Sequence, residues 1–320
     1  MSNLRFTLVT TCKNEINSIT NWMSDINHQT RQPDEISIVD AFSQDGTWEV
    51  LTDWARNDSR VKLDQIKGSP AIGRNKAIEN SSNEIIVSTD MGCSLNIDWI
   101  EKICQPFIDN PEIQAVAGNY SIEGNKITTS AAWAAYYLQA LHLPHKKNGY
   151  LPSNRSIAYK KSAWEKMGKL PEDLTFAADD TVFSLILLNS DIKIAYALDA
   201  NVYWHRMEKW SDYNKESYRY GFGNGEAALV PSILHNTFVQ KYVNFFSAYY
   251  IASQLKPNIL KKIFLAALNG KILASLYIIP VQITLGYYRF LGLRDGFING
   301  KSSCKKTRQR LDHIGITHDK

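Results

Sequence analysis

The sequence predicts an α/β fold built on a parallel sheet, because short β-branched runs alternate with amphipathic helical segments in the first third of the chain. The predicted strands are FTLVTTC, EISIVDA, VKLDQI and EIIVSTD, and the last of them ends at Asp90. Two of the segments between them, SITNWMSDI and TWEVLTDWA, place apolar residues at helical spacing. Ligands bind at the carboxyl ends of the strands in such sheets, so we expect a site assembled from the loops near Thr11, Asp40, Arg74 and Asp90.

Length and composition fit one sizeable α/β domain with a smaller appendage. The chain has 320 residues, 44% hydrophobic content and a net charge of +4, which excludes the disordered and fibrous classes. Its basic run KSSCKKTRQR suits a solvated tail, anionic lipid or nucleic acid, and with so mild a net charge we expect no nucleic-acid partner. The four cysteines contain no CxxC pair and fit a reducing compartment. The start of the chain has no signal-peptide pattern, so we expect a cytoplasmic catalytic part.

Polar residues follow the first two predicted strands. TTCKNE places Lys13, Asn14 and Glu15 where the chain leaves the sheet, although helix N-termini commonly attract such residues as caps. In VDAFSQDGT, Asp40 leaves a buried strand as an acceptor carboxylate, and the following residues form a turn and helix start. A turn with a capping residue explains this second segment equally well when it is taken alone.

Two further segments carry charge to the same edge of the sheet. SPAIGRNKAIE predicts a helix with Arg74 in its first turn, which suits an anionic phosphate. VSTDMGCSLNIDWIEK brings Asp90 to the end of an apolar strand and begins a helix at Trp99. A carboxylate placed there can ligate a hard cation that bridges a diphosphate. The order of the four segments is more specific than any one of them.

In that order the segments resemble glycosyltransferase family 2, whose members share the GT-A fold, a mixed sheet around a nucleotide-binding half. The resemblance runs from about Leu4 to Gly225 and includes LPSNRSIAYKKSAWEKMGKLPEDL, FAADDTVFSLILLNSDIKIAYALDANVYWH and YRYGFGNGEA. It implies a GT-A catalytic domain, assigned to residues 1–230. It also implies an inverting, hexosyltransferase-type enzyme of cell-surface polysaccharide or glycan synthesis, with a nucleotide-sugar donor, expected to be a UDP-sugar, and a glycan or lipid-linked acceptor.

The resemblance also implies roles on the donor side of the site. Thr11, Glu15 and Asp40 match positions that hold the nucleoside. Arg74 matches a neighbour of the diphosphate. Asp90 matches the aspartate that binds a divalent metal, Mg or Mn, together with the donor.

For the metal and the base, this chain departs from the family pattern. Gly92 stands where a second metal-binding carboxylate often lies, so we expect metal binding that is either weaker or completed by His205 and the donor phosphates. The resemblance matches His205 to a histidine that can join the metal or diphosphate site. The customary Glu-Asp pair is Asp179-Asp180 here. Asp180 is the expected catalytic base, because Asp179 is also placed to cap the helix DDTVFSLILL, yet the base assignment stays open between the two.

Other interpretations remain open at this point. A non-catalytic nucleotide-sugar-binding or scaffolding protein would also account for the reduced metal motif. A nucleotidyltransferase would share the nucleotide-binding half but does not account for DDTVFSLIL or VYWH. A satisfied, partly buried histidine is the alternative for His205, and helix core is favoured over a sugar platform for Trp133, Tyr136 and Tyr137.

The C-terminal residues 231–320 are expected to form a helical, membrane-associated region. From Ile272 to Tyr288 the sequence ILASLYIIPVQITLGYY is uncharged, contains Pro280 and is bounded by Lys271 and Arg289. As a helix it would be about 25 Å long, against about 30 Å for the hydrocarbon core of a bilayer. A spanning helix, an interfacial helix and a helix buried on the catalytic domain all remain open. We expect association with the inner (plasma) membrane, because a lipid-anchored acceptor would explain such a segment.

Overall fold

The computed structural model of the protein describes residues 4–139, 150–231, 234 and 258–316. The chain divides into two compact units that are interleaved along the sequence. The first unit comprises Met1–Ser121, His145–Glu172 and Asp179–His205, and the second comprises Ile122–Pro144, Asp173–Ala178 and Arg206–Lys320. The domain boundary expected at residue 230 stays a prediction.

A mixed eight-stranded sheet forms the first unit in the described part of the chain. Its strands are β1 Phe6–Cys12, β2 Glu35–Asp40, β3 Val61–Gln65, β4 Ile85–Ser88, β5 Cys93–Leu95, β6 Ala115–Ser121, β7 Ile157–Lys160 and β8 Ile194–Trp204. Their order is β3-β2-β1-β4-β7-β6-β8-β5. Strands β1 to β4 are parallel, β7 is antiparallel to β4 and β6, and β5 is antiparallel to β8. The predicted α/β fold and the mixed character of its sheet are confirmed.

Helices follow the strands as the sequence predicts. They are α1 Ile19–Asn27, α2 Thr47–Asn57, α3 Pro70–Glu79, α4 Trp99–Asp109, α5 Ser130–Gln139, α6 Lys161–Lys166, α7 Asp179–Leu188, α8 Trp210–Glu226, α9 Asn258–Leu268, α10 Ile272–Ser303 and α11 Lys305–His313. The expectation that Arg74 lies in the first turn of its helix is wrong by one turn. Pro70 starts α3, because its fixed φ angle and missing N–H suit the first helical position, and Arg74 therefore lies in the second turn.

Both faces of the sheet are covered by apolar side chains. Successive residues of β1 alternate between two buried clusters, with Leu8 in one and Val9 in the other. Ile38 and Val39 of β2 alternate in the same way, as strand geometry requires. The sheet is thus the middle layer of the first unit, and the polar ends of its strands are where the chain can reach solvent.

The second unit contains α5 and α10, two helices whose sequences are rich in apolar residues. Helix α5 carries Trp133, Tyr136 and Tyr137 and is described as far as Gln139. Residues 232–233, 235–257 and 317–320 of the expected C-terminal helical region lie outside the described residues. Tyr137 is buried in the apolar core of this unit, and Trp133 and Tyr136 are half-buried against it. Within residues 4–139, 150–231 and 258–316, no helix combines the length and the apolar character needed to cross a membrane.

Glycines allow α8 and α10 to approach each other at their main chains. A side chain on Gly221 or Gly225 of α8 would overlap main-chain atoms of α10. A side chain on Gly292 or Gly296 of α10 would overlap main-chain atoms of α8, including the carbonyl oxygen of Phe222. The contact between the two helices is therefore backbone against backbone.

A glycine also sets the distance between α3 and β1 beside Arg74. A Cβ at Gly73 would overlap the side chain of Thr11, whose Oγ1 donates a hydrogen bond to the Val39 carbonyl at 2.9 Å. We expect Gly73→Ala to lower the free energy of unfolding by about 1–3 kcal/mol, because the stiff threonine must move or the helix must shift. Urea denaturation measures the change.

Gly92→Ala is the matched control for this substitution, because a Cβ at Gly92 meets nothing within 4 Å. It should leave the urea midpoint nearly unchanged. Adding Thr11→Ala to Gly73→Ala should recover part of the lost stability, and an unaltered midpoint for Gly73→Ala alone would show that the packing of α3 on β1 is looser than the structure indicates.

Candidate active site

Arg74 lies at the centre of the charged residues that the sequence singled out. Its side chain is only 4% exposed, and its Nη2 donates a hydrogen bond to Asp90 Oδ1 at 2.5 Å. Its Nη1 lies 3.6 Å from Asp179 Oδ2. A buried guanidinium is costly unless carboxylates surround it, so this one residue brings the loop after β4 and the start of α7 together.

Asp90 follows β4 and is the more accessible partner of this pair, with 36% of its side chain exposed. A second guanidinium approaches it, since Arg155 Nε lies 4.0 Å from Asp90 Oδ2. The Arg155 guanidinium also stacks 3.8 Å from the centre of the Trp204 ring and 5.1 Å from that of Tyr120. Cation–π contacts of this kind hold a guanidinium in one orientation.

Sequence reasoning gave Arg155 no role, although it lies in the quoted segment LPSNRSIAY. It precedes a strand, whereas the expected site residues follow strands. Because β7 runs antiparallel to β4, with Ile157 opposite Ser88, the amino end of β7 lies beside the carboxyl end of β4. Recognising β7 as antiparallel was the signal needed to place Arg155 next to Asp90.

The two adjacent aspartates at the start of α7 have different surroundings. Asp179 is buried and accepts a hydrogen bond from Asn154 Nδ2 at 3.3 Å, in addition to its contact with Arg74. Asp180 is half-buried and accepts a hydrogen bond from Ser153 Oγ at 2.9 Å. Of the two aspartates, Asp180 is the less buried.

Burial raises the pKa of Asp179 to about 6, and the neighbouring charge of Asp180 acts in the same direction. The positive charge of Arg74 opposes both effects. The fold thus places a carboxyl group with a pKa close to neutral inside the site, which is a frequent property of functional sites.

Glu15 also belongs to this charged group. Burial raises its pKa, a hydrogen bond from Ser18 opposes the shift, and the charge of Asp90 raises the pKa further. Its main-chain N–H donates a hydrogen bond to Thr47 Oγ1 at 2.8 Å, and the next N–H, that of Ile16, donates to Asp45 Oδ2 at 3.1 Å. The loop after β1 is therefore fixed to the loop after β2.

Asp40 and Thr11 lie deeper at the same edge of the sheet. Asp40 is fully buried and accepts hydrogen bonds from the Ser43 N–H and from Gln65 Nε2, each at 2.9 Å. The Oγ1 of Thr11 donates to the main chain of β2. A direct contact between Asp40 and a nucleoside requires its carboxylate to exchange one of these partners, and the contact stays a prediction.

Phe42 was overlooked although it lies in the quoted segment VDAFSQDGT. Its side chain is 43% exposed, and its φ of 57° is in the region that side chains rarely adopt. Lys67 Nζ lies 5.4 Å from the centre of its ring. An exposed aromatic ring held by a strained backbone two residues after Asp40 is a candidate binding surface.

His205 lies beside the Asp90 loop. Its main-chain N–H donates a hydrogen bond to the Gly92 carbonyl at 3.1 Å, and its Nε2 lies 2.6 Å from Ser94 Oγ. A hydrogen bond to one ring nitrogen is how proteins orient metal-binding histidines.

The described residues could hold a metal ion only if a bound ligand supplies further coordinating atoms. Among the residues that the structure describes, no three histidine, cysteine, aspartate or glutamate side chains form a group that could hold an ion by themselves. Mg²⁺ is commonly bound by one or two carboxylates together with substrate phosphates, and the part-exposed Asp90 provides one such carboxylate. Metal binding by Asp90 and His205 stays a prediction.

The family model described as Glycosyl transferase family 2 matches residues 7–167, half of the chain. The chain belongs to glycosyl transferase family 2. A curated relative of this chain, the O-antigen chain rhamnosyltransferase WbaN of Salmonella anatum, is 26% identical over 193 residues. The match covers 57% of this chain and 59% of WbaN, so the chain spans less than two thirds of that relative's length.

Solved structures share the fold of this chain. The S. aureus TarS 1-349 crystal structure in complex with UDP has a TM-score of 0.51 at 16% identity and covers 99% of this chain and 93% of that chain. A longer TarS structure is matched over 55% of its length. The mannosyltransferase PcManGT from Pyrobaculum calidifontis, in complex with GDP-Man and Mn²⁺, has a TM-score of 0.53 at 17% identity, with 93% and 86% covered. These similarities show a mixed α/β sheet of the GT-A type with flanking helices.

Asp179→Asn tests the raised pKa of Asp179. Because this pKa is higher in the folded than in the unfolded chain, the contribution of Asp179 to folding is complete below the ordinary aspartate pKa, about 4, and is lost as the pH rises to about 6. We expect the unfolding free energy of the variant, minus that of the wild type, to increase by about 1–3 kcal/mol between pH 4 and 6.5.

Urea denaturation at several pH values gives this difference. Asp191→Asn is the control, because the pKa of this exposed aspartate is lowered by Lys166 and its difference should not increase with pH. A pH-independent difference for Asp179→Asn would contradict the raised pKa.

Proposed function

We propose that this glycosyltransferase is an inverting enzyme that transfers a sugar from a nucleotide-sugar, with a UDP-sugar as the first candidate, to a hydroxyl of a glycan or lipid-linked acceptor. The observation that carries the proposal is the half-buried carboxylate of Asp180, which directly follows Asp179, a partner of the buried Arg74. The names of its relatives support the donor class, since TarS is described with UDP and PcManGT with GDP-Man. The O-antigen role in the name of WbaN supports cell-surface polysaccharide synthesis.

The donor lies, in this proposal, along the carboxyl ends of β1 to β4. Thr11, Glu15 and Asp40 hold the nucleoside, and the exposed ring of Phe42 offers the base an aromatic face. Arg74 stays buried and orients Asp90 for the diphosphate end.

Charge at the diphosphate is met from two directions. Arg155, which precedes β7, lies 4.0 Å from Asp90 and is placed to neutralise phosphate oxygens. Asp90 and His205 would hold a divalent cation, Mg or Mn, together with the diphosphate. Such a cation supplies positive charge for the leaving group. The Mn²⁺ in the PcManGT structure supports this assignment.

Asp180 acts as the general base. As the acceptor oxygen forms its bond to the anomeric carbon, the bond from that carbon to the diphosphate oxygen breaks, and the hydroxyl proton passes to Asp180. The transition state resembles an oxocarbenium ion, so attack from the face opposite the leaving group inverts the configuration. Ser153 keeps the Asp180 carboxylate in place by its 2.9 Å hydrogen bond.

The enzyme is proposed to work at the cytoplasmic face of the inner (plasma) membrane. Its four cysteines are buried and unpaired, as suits a reducing compartment. A lipid-linked acceptor would place the reaction at that membrane.

Asp180→Asn should leave donor affinity unchanged and lower turnover by about a hundred- to ten-thousandfold, because asparagine keeps the size but accepts no proton. Asp179→Asn should do less, since its carboxylate is buried against Arg74. A panel of nucleotide-sugars with manganese, assayed for nucleoside diphosphate release and for transfer, measures both variants.

The outcomes of that assay separate the alternatives. Loss of turnover in Asp179→Asn alone would assign the base to Asp179. Donor binding without turnover in the wild type would indicate a binding protein, and release of inorganic diphosphate would indicate nucleotidyl transfer.

Asp90→Asn should weaken donor binding and reduce its response to manganese, because it removes the part-exposed carboxylate nearest Arg74 and Arg155. Isothermal titration of a nucleoside diphosphate, with manganese and with chelator, measures both effects. Asp98→Asn is the control, since Asp98 is a surface carboxylate paired with Lys102. Equal manganese dependence in Asp90→Asn and the wild type would remove Asp90 from the metal site.

A further inference from the structure

Helix α9 exposes one complete apolar stripe. Leu260, Phe264 and Leu268 are spaced four residues apart, so they lie on one side of the helix, and they are 71%, 64% and 67% exposed. The opposite side carries Ala266, which is fully buried in the apolar core of the second unit. The helix therefore has a buried side and an exposed apolar side.

The first half of α10 repeats this pattern. Ala274, Ile278 and Val281 are buried, whereas a set of large apolar residues beside them is exposed. Together with the stripe on α9 they form what we call the apolar face, defined by Leu260, Phe264, Leu268, Ile272, Leu273, Leu276, Tyr277, Ile279 and Ile283. Soluble monomers seldom expose so many large apolar side chains close together, and such surfaces mark contacts with proteins or lipid.

Charge distinguishes between these two occupants. The sequence has no aspartate or glutamate between Glu226 and Asp295. The same stretch has seven basic residues, Lys241, Lys256, Lys261, Lys262, Lys271, Arg289 and Arg294. Lys261 is exposed directly beside Leu260, and Lys271 is half-buried where α10 begins, with its Nζ 4.2 Å from the centre of the Trp133 ring.

A second copy of the chain is a poor occupant for this face. In a two-fold symmetric dimer, the apolar face would pack against its own copy, and Lys261 would approach the basic residues of that copy. The sequence has no acidic residue between 227 and 294 to neutralise this charge. Anionic phospholipid removes this difficulty, because its phosphates meet the lysines while its acyl chains take up the apolar side chains. The phenol ring of Tyr277 suits the boundary between headgroups and hydrocarbon.

We propose that the apolar face on α9 and the first half of α10 docks on an anionic phospholipid surface, with both helices lying in the plane of the interface. This deepens the membrane association under the proposed function by naming the surface and the lipid charge. Its test does not depend on catalysis.

The full-length chain is tested by co-sedimentation with vesicles of phosphatidylcholine alone and with about 30% phosphatidylglycerol. We expect binding to the anionic vesicles, and weaker binding at about 0.5 M salt, where charges are screened. Combining Phe264→Glu with Leu276→Glu should lower the bound fraction about tenfold or more. Lys261→Glu should lower it less and should reduce the salt dependence.

Ile97→Glu is the matched control, because Ile97 is 62% exposed in the first unit and lies outside the apolar face. Circular dichroism and nucleotide affinity should be unchanged in all these variants, so a fault in the donor site would be seen separately. No binding to either vesicle, or equal loss in Ile97→Glu, would overturn the proposal. A chain that is dimeric without lipid and becomes monomeric in the double variant would assign the face to a second copy.

Discussion

A guanidinium withdrawn from water requires counter-charges, and the carboxylates that meet this need at Arg74 come from distant parts of the sequence. Asp90 follows a strand of the parallel half of the sheet, and Asp179 begins a helix that lies far along the chain. Breaking one partner out of a buried ion pair typically costs about 3–5 kcal/mol, so the pairing holds these segments in one arrangement. The same pairing sets the two neighbouring aspartates apart. Asp179 is buried against Arg74 and Asn154, while Asp180 is half-buried and bonded to Ser153.

The mixed sheet explains why side chains reach the site both from loops that follow strands and from residues that precede them. In a fully parallel sheet, side chains at the ligand edge come only from loops that follow strands. Here β7 runs the other way, and residues that precede it, including Ser153 and Arg155, arrive at the same edge. Strand β5 is likewise antiparallel to β8, which brings His205 next to Gly92. The parallel half thus supplies the nucleotide side of the proposed site, and the antiparallel strands supply the residues around Asp90 and Asp180.

Most of the parallel half of the sheet could be predicted from the sequence, because β1, β2 and β4 are buried and read as short β-branched runs that end in polar residues. Asp90 was located in this way. Arg155 was not, since neither periodicity nor composition shows that a short strand such as IAYK pairs antiparallel. The different burial of Asp179 and Asp180 also depends on tertiary contacts with Arg74 and Ser153. Two identical neighbouring residues give no sequence signal of such contacts. In the C-terminal region the apolar sequence was evident, but its division into buried and exposed sides required the packing of α9 and α10.

The glycines between α8 and α10 limit which substitutions this region can accept during evolution. Where side chains pack against side chains, a larger residue on one helix can be offset by a smaller one on its partner. At Gly221, Gly225, Gly292 and Gly296 the opposing atoms belong to the main chain, which no substitution can make smaller. No single substitution on one helix can therefore compensate for a side chain gained on the other. Related sequences should show these positions as jointly invariant rather than co-varying.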